Sequence, residues 1–168
     1  EEYLLEKVVA EKVAALRAFE VVDCKETENA SAPPAPFTTS SLQQAASNAL
    51  KFTPKQTMQL AQKLYEGGHI TYMRTDSPNL SKEAVQALRA FCEEQGWPVV
   101  EKPRTWKSKE GAQEAHEAIR PTHVEIEEAG EMADEKALYR LIRLRSLASQ
   151  LTDALYAVRI LQLKADID

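Results

Sequence analysis

Cysteine, glycine and long apolar runs are all scarce in this chain of 168 residues. Its two cysteines, Cys24 and Cys92, stand far apart, which provides neither a disulfide framework nor the paired spacing of a zinc site; both are read as buried or idle thiols. Five glycines and eight prolines are too few for a collagenous or low-complexity chain. Apolar runs such as Val8-Val9-Ala10 fall far short of the roughly 20 residues a helix needs to cross a bilayer, so no membrane span is expected. The opening residues lack the charged start, apolar stretch and small-residue cleavage site of a secretory leader, which makes the cytoplasm the default expectation. An excess of positive charge is missing as well. Lys and Arg total 21 against 26 Asp and Glu, a net charge of −5, which argues against a whole-surface electrostatic grip on nucleic acid.

What is present fits a folded protein: 43% apolar and 28% charged residues in 18.8 kDa, enough for one domain, or one domain with pieces of a neighbour. The charge is uneven. Residues 1–30 carry net −4, residues 31–123 net +2 and residues 124–168 net −3. A polyanion would therefore meet the central segment, although blocks this weakly biased also describe ordinary solvated surface.

Apolar side chains from Tyr3 to Leu16 recur at three- and four-residue intervals, predicting an amphipathic helix. Phe19 to Lys25 reads as a short strand running out into polar residues 26–32. Pro33-Pro34-Ala35-Pro36 is a stiff extended connector and marks a domain boundary. Beyond it, Thr39, Ser40 or Ser41 would cap a helix to about Leu50, and Thr53-Pro54 starts a second one that ends at Gly67-Gly68. Met58, Leu60, Ala61, Leu64 and Tyr65 are its expected buried stripe. His69 to Thr75 reads as extended, Ser81 caps a helix to about Gln95 with Glu83 in its first turn, and residues 96–111 form a surface loop. A short helix is expected over Ala112–Ile119, and a long one from a cap at Asp134 through Leu147. Leu155–Leu163 alternates as a closing strand. The fold class is therefore mainly α. A compact helical body over residues 33–152, with a helix-turn-helix or winged-helix-like core, is flanked by terminal pieces, 1–32 and 153–168, whose strands belong to a neighbouring sheet.

One stretch stands apart from helical filler: Gly67-Gly68-His69-Ile70-Thr71-Tyr72-Met73-Arg74-Thr75-Asp76-Ser77. In an extended segment residues two apart face the same way, so Tyr72 and Arg74 project together while Met73 points back. A phenol is a poor nucleophile at neutral pH, but a nearby guanidinium favours the phenolate and can hold a phosphate oxygen. Such a pair suits attack on a phosphodiester, with a tyrosyl ester as intermediate and resealing as the reverse step, without ATP. The plainer reading stands beside it, since most tyrosines pack with the hydroxyl at the surface. His116 and Arg120 lie four apart in Ala115-His116-Glu117-Ala118-Ile119-Arg120-Pro121 and could share a helix face towards a phosphate, or be a solvated helix end. His69 and His123 lack ligand-spaced partners, and Asp76, Glu114 and Glu117 are not spaced like a cation cage.

Three motifs, in this order and at these separations, resemble type IA DNA topoisomerases: residues 35–47 (Ala-Pro-Phe-Thr-Thr-Ser-Ser-Leu-Gln-Gln-Ala-Ala-Ser), 70–77 (Ile-Thr-Tyr-Met-Arg-Thr-Asp-Ser) and 115–122 (Ala-His-Glu-Ala-Ile-Arg-Pro-Thr). Met73 after the tyrosine looks more like bacterial topoisomerase I than topoisomerase III. The resemblance implies that residues 35–150 are the helical domain carrying the nucleophile and that the flanks are strands of the arch-forming gate domain. Tyr72 would attack single-stranded DNA, giving a 5′-phosphotyrosyl bond and a free 3′-hydroxyl, and passage of another strand before resealing would relax negative supercoils. Arg74 would position the scissile phosphate. His116, with Arg120, Thr75 and Ser77, would contact DNA. The expected partners are DNA and the remaining domains of a parent topoisomerase, with no membrane.

The family's metal-binding domain supplies a glutamate and an acidic cluster for Mg²⁺, and no Glu…Asp-x-Asp-x-Glu arrangement occurs in this sequence. The resemblance thus implies no cofactor within this segment, Mg²⁺ for the full-length enzyme, and no cleavage or relaxation by the segment alone. The alternative function is a non-catalytic winged-helix DNA-binding module, but residues 54–66 offer Lys55 and Lys63 against Glu66, thin for a recognition helix. A helical scaffold for a protein partner is the third reading.

Overall fold

Two hydroxyl caps organise the centre of the chain. In the computed structural model, which describes residues 6–107 and 117–165, Thr38 begins helix α2 (Thr39–Leu50). Its Oγ1 accepts from the Ser41 N–H at 3.3 Å while Ser41 Oγ accepts from the Thr38 N–H at 2.9 Å. This reciprocal pair satisfies two donors that a helix start would otherwise leave bare. The cap lies one residue before the expected Thr39, because the serine that returns the second bond sits three residues after Thr38. Lys51, in the left-handed region (φ 61°), closes α2. Thr53 then caps α3 (Pro54–Glu66) through the Gln56 N–H, and Pro54 at its first position lacks the N–H that would have needed a partner.

Ser81 caps α4 (Lys82–Glu94), with Glu83 in the first turn. Helix α5 (Ala133–Ala148) departs from expectation at its start: Asp134 lies inside the first turn and the N-cap is Met132, which makes no side-chain cap bond. Glu135 serves instead, accepting from the Glu131 N–H at 2.8 Å and from Lys63 Nζ at 3.0 Å. The Glu131 N–H and then Lys63 hold its carboxyl below the usual glutamate range. Gly130 makes this turn possible. Its φ is +106°, and a Cβ there would come within 2.6 Å of the Glu135 Cβ.

These four helices form one unit, residues 32–154. Helix α5 packs on α2, α3 and α4, and α2 packs on α3. Phe37, Leu42, Leu60, Leu64, Ile142 and Tyr139 lie in the main cluster, where each large apolar side chain contributes about 1.5–3 kcal/mol by leaving water. A second cluster gathers Leu88, Cys92, Val124 and Leu147. Residues 97–106 lie in the expected surface loop, and side chains pin it: Asn79 exchanges two 2.8 Å bonds with the Trp106 backbone, and Arg104 reaches the Ser149 and Leu151 carbonyls and Asp153. The part of the expected Ala112–Ile119 helix that is described, residues 117–119, is extended, with Ile119 bridged to Phe37.

The other unit comprises the two ends of the chain. It holds α1 (Lys7–Ala15) and a two-stranded antiparallel sheet of β1 (Glu20–Ser31) and β2 (Ala154–Lys164). β1 runs on through the polar residues expected to end it, because the ladder bonds backbone to backbone and Glu26 meets Arg159 across it at 2.7 Å. Both strands are exposed along nearly their whole length, Cys24 included, and none of α1 is buried. Among the described residues no helix is long and apolar enough to cross a membrane.

Candidate active site

Helix α3 ends where Gly67 and Gly68 turn the chain, the latter at φ +74°, with the His69 N–H returning to the Leu64 carbonyl at 2.9 Å. Beyond this turn Ile70 makes an isolated bridge, and the chain bends at Thr71 and Met73 where the sequence predicted a regular extended segment, yet burial still alternates. Met73 (1% exposed), Thr75 (8%) and Ser77 (5%) face inward, while Tyr72 (48%), Arg74 and Asp76 face outward. The period of two read from the sequence thus reappears in the burial, with phenol and guanidinium both exposed on either side of buried Met73. It adds Asp76 to the exposed residues, one the same alternation would have found.

Neighbouring segments hold this strip by its backbone. The Thr71 N–H donates to the Arg120 carbonyl at 2.9 Å. Thr71 Oγ1 donates to the Ala118 carbonyl at 2.7 Å and accepts from the Arg120 N–H at 3.0 Å. Ile70 is bridged to Pro121, and the Thr122 N–H reaches the His69 carbonyl at 3.0 Å. On the other flank Thr39 contacts Met73 and Thr75. All three sequence motifs therefore meet here.

Tyr65 (41% exposed) is not in the core stripe where its helical spacing placed it. Its ring meets that of Tyr72 edge-on, centroids 5.2 Å apart, because its position in the last turn of α3 lies at the margin of the buried face, whose innermost residues are Thr57, Leu60, Ala61 and Leu64. A groove of about 710 Å³ runs along α3 to Arg74, lined also by Lys55, Gln59, Gln62 and Lys63 and by no carboxylate.

The residues expected to contact DNA are less open than Tyr72 and Arg74 where they are described. Arg120 Nε and Nη2 donate to the two oxygens of Glu117 at 2.7 and 3.1 Å, and Nη1 donates to the Pro121 carbonyl at 2.9 Å. Its guanidinium braces the loop, and the extended residues 117–120 present no helix face. Burial would raise the Glu117 carboxyl, but the Arg120 hydrogen bonds and the Ser81 N–H outweigh it and hold the group below the usual range. Thr75 and Ser77 are buried, and their hydroxyls accept from the Ser77 and Asn79 N–H groups, the short turn bonds these residue types favour. His116 and Glu114 lie outside the described residues. His123 is exposed beside Glu125. Among the described residues no group of three or more His, Cys, Asp or Glu could hold a metal ion, so the residues at hand do not fit a Mg²⁺ site.

A family profile described as DNA topoisomerase matches residues 2–168. The chain is 52% identical over 163 residues to a plasmid DNA topoisomerase I of Xylella fastidiosa, covering 97% of this chain and 25% of that protein. It is 47% identical over 143 residues to DNA topoisomerase 1 of Escherichia coli, covering 82% and 16%. Full-length topoisomerase I from Thermotoga maritima superposes with a TM-score of 0.76 at 35% identity, over 98% of this chain and 28% of that one. The chain spans about a quarter or less of the length of these curated relatives, and it belongs to the DNA topoisomerase family.

Proposed function

We propose that this chain is the nucleophile-bearing segment of a type IA DNA topoisomerase. Tyr72 attacks a phosphodiester of single-stranded DNA. The phenol gives up its proton as the new bond joins its oxygen to phosphorus, the bond to the 3′ oxygen breaks, and that oxygen departs as a hydroxyl after taking a proton in exchange. Arg74, exposed as well, stabilises charge on the phosphate oxygens. Resealing reverses these steps, so strand passage and relaxation of negative supercoils need no ATP. His116 contacts the DNA backbone from the third motif, and the carboxylate-free groove along α3 suits the strand's charge.

The observation that carries this reading is the exposure of both Tyr72 and Arg74 in a segment whose alternate residues are buried. The α2–α3 pair, with its tight turn and the segment after it, serves as a helix-turn-helix-like core presenting those two side chains. Residues 33–152 form the tyrosine domain, and 1–32 with 153–168 are flanking pieces of the gate domain. Proton transfer to the leaving oxygen and the Mg²⁺ site belong to the rest of the parent protein.

The test joins the chain to its metal-binding portion and compares Tyr72→Phe with the parent sequence for covalent DNA adducts. The phenylalanine variant should form none. Equal adduct yields would replace this reading with the non-catalytic DNA-binding module.

A further inference from the structure

Thr39 stands at the first position of α2, where a helix leaves backbone N–H groups without partners inside the helix. Its own N–H donates to the Thr75 carbonyl at 2.9 Å. The side chain does more. Oγ1 donates to the Met73 carbonyl at 2.7 Å, accepts from the Thr75 N–H at 2.9 Å, and lies 3.1 Å from the Thr75 carbonyl. The Met73 carbonyl belongs to the peptide group entering Arg74, and the Thr75 N–H to the one leaving it.

Peptide groups are planar, so the only soft backbone torsions at Arg74 are the φ and ψ between these two planes. One oxygen atom, 34 to 36 residues away in sequence, fixes both planes and with them the direction in which the Arg74 side chain leaves the backbone. Arg74 itself is exposed and lines the α3 groove. Its reach to a phosphate therefore depends on a backbone setting that Arg74 does not itself secure.

We propose that Thr39 is a positioning residue for Arg74: its hydroxyl sets the backbone on which the phosphate-holding guanidinium is mounted. The proposal rests on the reading of Tyr72 and Arg74 given above. Thr39 touches no reacting atom. Its effect is on the rate at which a bound phosphate reaches attack geometry, where misplacement by about 1 Å can cost about 100-fold.

The experiment measures single-turnover formation of the covalent adduct on a single-stranded oligonucleotide, with the chain in its full-length context. Thr39→Val, which keeps the shape and removes the hydroxyl, should slow adduct formation on the order of tenfold. Affinity for the same oligonucleotide, measured in the Tyr72→Phe background, should stay within about twofold. Thr39→Ser, which retains the oxygen, should restore the rate to within about twofold. A double-mutant cycle separates positioning from mere folding: in an Arg74→Lys background, where the planar fork is gone, Thr39→Val should cost less than about twofold.

The proposal is overturned if Thr39→Val slows both backgrounds equally, if Thr39→Ser is as slow as Thr39→Val, or if Thr39→Val leaves the rate unchanged. Adduct formation that survives Tyr72→Phe would instead sink the reading of the nucleophile. The two failures are thus distinct.

Discussion

At the residue scale the proposed chemistry rests on a segment whose exposed members need no burial, supported by inward members that do. Glu117 is the charged member of that support. It accepts from Arg120 and from the Ser81 N–H, and its pKa is lowered in the folded state. A lowered carboxylate pKa contributes stability that is fully present above the unfolded value, about 4.3, and is lost as pH falls through the folded value. Glu117→Gln should therefore lower stability by about 1.5 kcal/mol at pH 7, and the gap to the parent sequence should close as pH drops below the ordinary carboxylate range. Urea denaturation across that range checks it; a gap independent of pH would show the carboxylate charge to be irrelevant. The exposure of Tyr72 and Arg74 and the burial of Met73 were legible because the alternation survives the bends at Thr71 and Met73. The engagement of Arg120 was not, since spacing cannot tell a guanidinium aimed at solvent from one held by a carboxylate three residues away.

At the element scale, starts and stops follow local chemistry closely where a hydroxyl or a glycine decides them. Thr53-Pro54, Ser81 and Gly67-Gly68 act as their residue types predict. Helix α5 escaped that logic because its start is secured by Glu135 bonding back to Glu131 and across to Lys63 of α3, a tertiary arrangement without a local signature. Gly130 is the condition for it. Gly130→Ala forces a left-handed φ on an alanine and drives its Cβ into Glu135, so it should destabilise the helical unit by about 2 kcal/mol. The melting temperature should fall by several degrees, and an unchanged value would mean the turn relaxes freely. β1 outran its predicted end for a related reason, since a strand paired through its backbone tolerates polar side chains on both faces.

At the scale of the whole molecule, the segment covers a small share of its relatives' length and, among its described residues, holds no metal-binding cluster. The purified chain should bind single-stranded DNA weakly and neither cleave nor relax supercoiled plasmid. Gel analysis of plasmid topoisomers checks this, and steady relaxation by the chain alone would refute the division of labour proposed for it. The mainly helical class and the strands near both ends were readable from periodicity and punctuation. The packing of α5 on three other helices was not, because apolar stripes name a face without naming its partner.

The threonine bonds that tie residues 68–71 to residues 118–122 give the proposed reaction one more property. An enzyme that breaks a chromosome strand must not lose track of the end it holds. Here the attachment point and the loop beside it are stitched main chain to main chain, so a severed end carried on Tyr72 would travel with its docking bay and come back already indexed for repair.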